Sequence, residues 1–333
     1  MNDRPDDPVA ATLERFFAAF PAGPIGVESV ELGKSRARVL AADVTAAINS
    51  PPFSRALVEG FLVNVADTAN AGDNTPVSLI VSGTIGPGKT FANQIPSGTC
   101  MEVSTGSFIP EGVFAVAKSM DVTRSGKGIM IKRGYNQGDN IEAVGCEIKK
   151  GEGILRAGTR LSPKEIMILA GQGILSAKVA RAPKAAIFCS GNEVIPPSEP
   201  LRPGYVWDAN SYTLSAQIEE CGGLPLFCGI MKDDFSAFQE ALKDGIAKTD
   251  MVVISGGTAI GGREFIADLI HSFGGPGVVV NGVPMRSGKP LIMGVIENKP
   301  VVCVAGYPPE SLRGFELFGK PVIERLLGLR SVT

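Results

Sequence analysis

At 333 residues the chain is longer than one ordinary domain, and 44% hydrophobic with 20% charged residues excludes disordered and fibrous classes. Its 32 Lys and Arg against 34 Asp and Glu leave a formal charge of -2. That balance gives no general electrostatic case for nucleic-acid or membrane binding, although a local basic site is compatible with it.

The first twenty residues, MNDRPDDPVAATLERFFAAF, are acidic before they are apolar, unlike a secretory signal. Val9, Leu13, Phe16, Phe17 and Phe20 recur at helical spacing and predict an amphipathic helix. From 51 to 145 short apolar alternations such as EGFLVNV and FAVAKSM are separated by Gly, Pro, Asn and Asp, the texture of a β-rich domain. Ser162, Pro163 and Glu165 form a capping-box pattern that opens another helix. After Pro183 continuous apolar strands alternate with amphipathic helices, which predicts an open, largely parallel sheet covered on both faces. Pro321 predicts a kink or break in the last helix. No run reaches membrane-spanning length. Six cysteines without a C-x-x-C pair, and a single histidine, His271, argue against a zinc site or disulfide framework and for reduced thiols in a cytoplasm.

In an open α/β sheet ligands bind beyond the carboxyl ends of the strands. There the sequence places VVISGGTAIGGREF, in which glycines including Gly256 and Gly257 follow a buried strand and precede Arg263 and Glu264. The Walker pattern fails, because Arg263 and Glu264 stand where Lys and Ser or Thr are needed. Glycine N–H groups and a helix N-terminus still suit an anion, and a plain strand-to-helix turn suits the same residues. Arg286 and Lys289, around Ser287 and Gly288, suit an oxyanion or a solvated basic turn. Glu193 follows Ser190 and Gly191 and suits Mg²⁺ or simple surface exposure; Asp208 and Asn210 precede a helix that one of them would cap. Together these groups suit a phosphorylated ligand with a divalent metal.

The ordered segments SPPFSRALVEGF, VSTGSFIPEGVFAV, LRAGTRLSPKEIMILAGQGI, CSGNEV, DANSY, ISGGTAIGGREF, RSGKP and VAGYPPESLRGFELF resemble the molybdenum insertases of molybdenum cofactor synthesis, a family that includes the C-terminal domain of gephyrin. The resemblance runs from the first helix to about residue 328. It implies an α/β and β multidomain fold: a discontinuous, elongated N-terminal domain (1–50 with 146–181), a β-rich second domain (51–145) and a doubly wound, molybdopterin-binding-like α/β domain (182–333). A fourth, C-terminal β domain of the family is expected to be absent, since Thr333 stands where it would begin. Also implied are a homodimer in the cytoplasm and contact with other molybdenum-cofactor synthesis proteins. The implied reaction is Mg²⁺-dependent cleavage of adenylylated molybdopterin to AMP, with molybdate or tungstate delivering metal to the dithiolene.

Carried over position by position, the resemblance implies catalytic roles for Glu59, Thr105, Glu147, Glu193 and Glu264, with Glu193 and Glu264 as Mg²⁺ ligands. It assigns substrate or phosphate binding to Ser190, Gly191, Asp208, Asn210, Ser255, Gly256, Gly257, Arg286, Ser287, Gly288, Lys289, Gly306 and Pro308. Glu59, Glu147 and Glu264 stand where the family has Asp, or an acid in an altered segment. Ala259, Tyr307 and Glu310 replace family residues near the anion. These departures leave a second expectation open, a non-catalytic molybdopterin-binding paralogue acting as carrier, chaperone or regulator.

Overall fold

The computed structural model describes residues 7–21, 23–92, 94–257, 262–283 and 291–330. Its contacts divide the chain into two compact units, Met1–Ala42 with Arg156–Ile166 and Leu175–Thr333, and Asp43–Leu155 with Met167–Ile174. This differs from the three-part division drawn from the sequence. Helix α1 (Pro8–Ala19), capped by Asp7 Oδ1 on the Val9 N–H at 2.9 Å, buries Phe16 and the following Phe20 in the same core as the α/β sheet.

The second unit is built on a six-stranded sheet: β1 (Gly60–Asn64), β2 (Val77–Ile85), β3 (Thr99–Val103), β4 (Phe114–Lys118), β5 (Val122–Ser125) and β6 (Gly128–Ile131). The spatial order is β4-β1-β3-β2-β6-β5, with β2 and β3 parallel and the other pairs antiparallel. Alternation along β1 sends Leu62 to one apolar cluster and Phe61 and Val63 to another, so both faces of the central strand are covered.

The predicted capping box forms at α2 (Pro163–Gly171). Ser162 Oγ accepts from the Lys164 N–H at 3.2 Å while Glu165 accepts from the Ser162 N–H at 3.0 Å. Those bonds to Ser162 hold the Glu165 carboxyl below its ordinary pKa.

Beyond it the chain lays down β7 (Lys184–Ser190), α3 (Asn210–Cys221), β8 (Leu224–Met231), α4 (Phe235–Lys248), β9 (Met251–Ser255), α5 (Gly262–His271), β10 (Gly277–Asn281), β11 (Ile292–Ile296), β12 (Lys299–Val304), α6 (Pro308–Gly314) and α7 (Lys320–Leu326). The strands order as β8-β7-β9-β12-β11-β10. Ile187, Val253 and Val302 point to the face that α1 and α3 cover, and Phe188, Val252 and Val301 to the face that α4 and α5 cover. Burial on both faces is why these strands read as unbroken apolar runs. No described helix is long and apolar enough to cross a membrane.

Two local departures have clear causes. The sheet is parallel through β8, β7, β9 and β12, but β11 and β10 run antiparallel to their neighbours. Only Glu297 and Asn298, at φ 47° and 60°, separate β11 from β12, and so short a left-handed turn joins antiparallel strands alone. Near Pro321 the helix widens: Phe315–Gly319 is a π-helical turn, and the Lys320 N–H reaches Phe315 O. The wider turn sits just ahead of the residue that cannot donate, which is how the predicted interruption is accommodated.

Candidate functional site

The chain leaves β7 for β8 on one side of the sheet, and β9 lies on the other side of β7. This reversal is the topological switch point of the sheet, and in open α/β sheets ligands bind beyond the carboxyl ends of the strands there, here β7 and β9. Ser190 ends β7, Ser255 ends β9 and Gly306 follows β12, and the backbone there is crowded. A Cβ on Gly256 would stand 2.3 Å from Ser190 O, one on Gly257 would stand 2.7 Å from Ile266 Cγ1, and one on Gly306 would touch Gly256 Cα at 3.4 Å. Gly256 and Gly257 also hold φ of 97° and 65°. Only glycine meets both conditions. The structure thus brings Ser190, Gly256, Gly257 and Gly306 together.

Asn210, at the start of α3, ties two of these ends to each other. Its Nδ2 donates to Ser255 Oγ at 2.7 Å and to Gly306 O at 2.8 Å, and Ser255 Oγ in turn donates to Ala305 O at 3.1 Å. Both amide hydrogens are spent, and turning the amide over would set Oδ1 against the Gly306 carbonyl. The amide orientation is therefore fixed, and Asn210 Oδ1 is left buried without a partner among the described residues. A free acceptor suits an N–H or O–H donor, so a substrate contact through Asn210 Oδ1 would be with such a donor. Asp208 has a structural task of its own. It is 4% exposed and its Oδ1 accepts from the Ser211 N–H at 2.9 Å and the Cys189 thiol at 3.2 Å, so it caps α3. Burial and then the Asp208 charge push the Cys189 thiol far above its ordinary pKa, which keeps it neutral and inert.

The Ser255 hydroxyl is committed as just described, and the Gly256 N–H is spent on Val304 O at 3.1 Å. Ser190, 7% exposed, keeps its hydroxyl without a partner among the described residues. Pro308 is exposed at the start of α6. Ser311, fully buried, approaches Ser255 Oγ to 3.5 Å. Arg286, Ser287, Gly288, Lys289 and Ala259 lie outside the described residues.

Glu193 sits on the turn after β7 and Glu264 in the first turn of α5, and both are exposed. The Glu193 carboxylate lies over Gly191, where an added Cβ would come within 2.7 Å of Oε2 and 2.9 Å of Oε1. Among the described residues no group of three or more His, Cys, Asp or Glu side chains is placed to share a metal. Carboxylate oxygens are the ligand type Mg²⁺ takes, one or two of them with waters and substrate phosphates, and Glu193 and Glu264 each present such a carboxylate to solvent. Sequence reasoning missed Lys232, Asn192 and Asp233, which brace the Glu193 turn. The signal was a Lys-Asp pair at the carboxyl end of β8.

In the second unit Glu59, Thr105 and Glu147 are exposed on three segments knitted together by backbone bonds. The Gly106 N–H donates to Ala56 O, the Ile109 N–H to Ser54 O, and the Glu147 N–H to Ser50 O. The register of Gly60 with Val103 places Glu59 and Thr105 beyond adjacent strand ends. Ser50 Oγ donates to Glu147 Oε2 at 2.8 Å. Arg55, also missed, pairs with Glu142, and that bond, with the Glu147 charge adding less, raises the guanidinium pKa.

Comparison with known proteins divides the chain by sequence near residue 180, so its first part draws on both compact units. Residues 8–173 match the family described as "MoeA N-terminal region (domain I and II)" and residues 186–325 that described as "Probable molybdopterin binding domain". The chain is 33% identical over 305 residues to a Bacillus subtilis protein named molybdopterin molybdenumtransferase, covering 90% of this chain and 70% of that one. A Nostoc protein of the same name is 30% identical over 305 residues, with 91% and 70% covered. A crystal structure described as a molybdopterin biosynthesis moeA protein from Pyrococcus horikosii superposes with a TM-score of 0.83 at 35% identity, over 97% of this chain and 80% of that one.

Proposed function

Since the chain belongs to the MoeA family of molybdopterin molybdenumtransferases, we propose that it serves molybdenum cofactor biosynthesis as a transferase acting on adenylylated molybdopterin and molybdate. The observation that supports this reading is the close packing of Ser190, Gly256 and Gly306 at the carboxyl ends of β7, β9 and β12, the switch point of the sheet, with the Ser190 hydroxyl unpartnered among the described residues. Ser190 Oγ donates to a phosphate oxygen, and Asn210 Oδ1 accepts from an N–H or O–H of the ligand. Through the carboxylate oxygen not turned to metal, Glu193 takes a proton from a water whose oxygen bonds the adenylyl phosphorus; the phosphoanhydride bond breaks, AMP leaves and the other phosphate stays on the pterin. Two dithiolene thiols then replace two molybdate oxygens, which leave as two waters on the two thiol protons and two protons from solvent. Glu193 and Glu264 would hold Mg²⁺, whose chemistry there is neutralisation of phosphate charge. Arg286 and Lys289 belong to this proposal as oxyanion contacts. So do Glu59, Thr105 and Glu147 as catalytic groups, the three-part domain division, the homodimer and a cytoplasmic location. Tungstate would enter as molybdate does.

The test gives the purified protein adenylylated molybdopterin, Mg²⁺ and molybdate, and follows AMP and pterin-bound molybdenum. Both products are expected, with AMP release in Glu193→Gln down on the order of 10²-fold. Tight binding with neither product would overturn the transferase reading in favour of a carrier.

A further inference from the structure

The turn that presents Glu193 is built around a cation of the protein's own. Four consecutive carbonyls follow β7, and all four are accounted for. Lys232 Nζ takes Gly191 O at 3.2 Å, Asn192 O at 3.1 Å and Val194 O at 2.7 Å, while Glu193 O accepts the Val206 N–H at 3.0 Å. An ammonium has three N–H donors and no acceptor, so these three carbonyls saturate it. No carboxylate pairs with Lys232 among the described residues. Asn192 and Asp233 fasten the same turn to the end of β8, through Asn192 Nδ2 to Asp233 Oδ2 at 2.7 Å and the Asp233 N–H to Asn192 Oδ1 at 3.2 Å. The Gly191 N–H to Met231 O bond, 3.1 Å, completes the brace.

Carbonyl oxygens converging on one point form a cation site; rings of such oxygens replace the hydration shell of potassium. Here the site is filled by a lysine arriving from the next strand. With the carbonyls turned inward to Nζ, the backbone path of 191–194 is set and the Glu193 carboxylate is laid over Gly191. We propose that Lys232 is a positioning residue, a tethered monovalent cation that fixes the Glu193 turn, and that an unbound monovalent cation of similar size can take its place. The catalytic part of this inference rests on the role of Glu193 proposed above; the cation site does not.

The experiment uses the full chain carrying Lys232→Met, which keeps the length of the side chain and removes its charge. Amide hydrogen exchange is followed across 188–206, with potassium or ammonium titrated at ionic strength held constant by tetramethylammonium. In the variant, exchange at the Gly191, Val194 and Val206 amides should rise on the order of 10-fold. Potassium or ammonium should restore protection, tetramethylammonium should not, and the parent should respond to none of them. AMP release should fall about 10-fold in kcat with KM little changed, and recover with the same ions. Parent-like exchange in the variant overturns the inference, and so does a rise in exchange that no small cation reverses. A parent that binds ligand but releases no AMP, alongside cation-reversible exchange in the variant, fails the transferase reading and leaves the cation site standing.

Discussion

In the α/β unit the candidate residues Ser190, Gly256 and Gly257 adjoin strands whose middles are fully buried, and at the two glycines the surroundings stand close enough that a methyl group does not fit. In the β-rich unit Glu59, Thr105 and Glu147 stand on exposed segments joined by backbone bonds, with open space around Gly106. Both regions hold acids or hydroxyls for the proposed chemistry, but one gets its geometry from packing and the other from hydrogen-bonded loops. Packing transmits any added volume as strain, whereas a loop can move aside.

The widest contrast comes from placing the same methyl group in each region. Gly256→Ala would drive a Cβ to 2.3 Å from Ser190 O at a φ of 97°, two penalties at once. We expect a loss of about 3 kcal/mol or more in urea unfolding, with AMP release abolished. Gly106→Ala, beside Thr105 at φ 80° with nothing within 4 Å of the new carbon, should lose only about 1 kcal/mol for the backbone conformation. Equal losses would mean that the loop region is as tightly determined as the sheet ends.

The same division explains what the sequence disclosed. Periodicity reports local burial, so α1, the strands from β7 to β12 and the Ser162–Glu165 capping box were legible from spacing alone. The meeting of Ser190, Gly256, Gly257 and Gly306 followed, because strand ends locate it. Asn210 shows where legibility stopped: its bond to Gly306 spans 96 positions, and only that bond and the one to Ser255 decide that its free group is an acceptor. Lys232 is a similar case, since a lysine after a strand reads as solvated until the carbonyls 38 to 41 positions away are seen to face it. The reversal at β11 and β12 escaped because two ordinary residues, Glu297 and Asn298, take the left-handed conformations that sequence reading expects of Gly or Asn-Gly. In the β-rich unit the acids were placed through family likeness, and Arg55 carried no pattern of its own.

Ion pairs extend the contrast to pH. Arg181 grips Asp250 with both ends of its fork, at 2.8 and 3.0 Å, and the Lys184 N–H adds a third bond at 2.8 Å. Burial by itself would raise the Asp250 carboxyl, but the Arg181 and Lys184 bonds together outweigh it and leave the pKa below its ordinary value. A depressed folded-state pKa stabilises the protein above the unfolded value, about 4, and that contribution is lost as pH falls through the folded value. Asp250→Asn should therefore cost about 1–2 kcal/mol at pH 7. The difference from the parent should shrink in urea titrations taken progressively below pH 4. A difference independent of pH would show that the bonds, and not the charge, carry the effect.

Arg55 and Glu142 give the smallest expected change and the sharpest check on the loop region. One nitrogen of the guanidinium meets Glu142, and the Arg55 side chain is 40% exposed, so water screens the pair and competes for both partners. A double-mutant cycle of Arg55→Met and Glu142→Gln should return a coupling below about 1 kcal/mol that falls as salt rises. The surrounding loops are held by backbone bonds from Ala56, Leu57 and Ile109 that neither substitution touches, so the segments bearing Thr105 and Glu147 should keep their amide protection in both variants. A coupling above about 2 kcal/mol, or exchange rising across 104–109 with either substitution, would require the pair to organise the loops. The two regions would then differ in exposure but not in how firmly their geometry is determined.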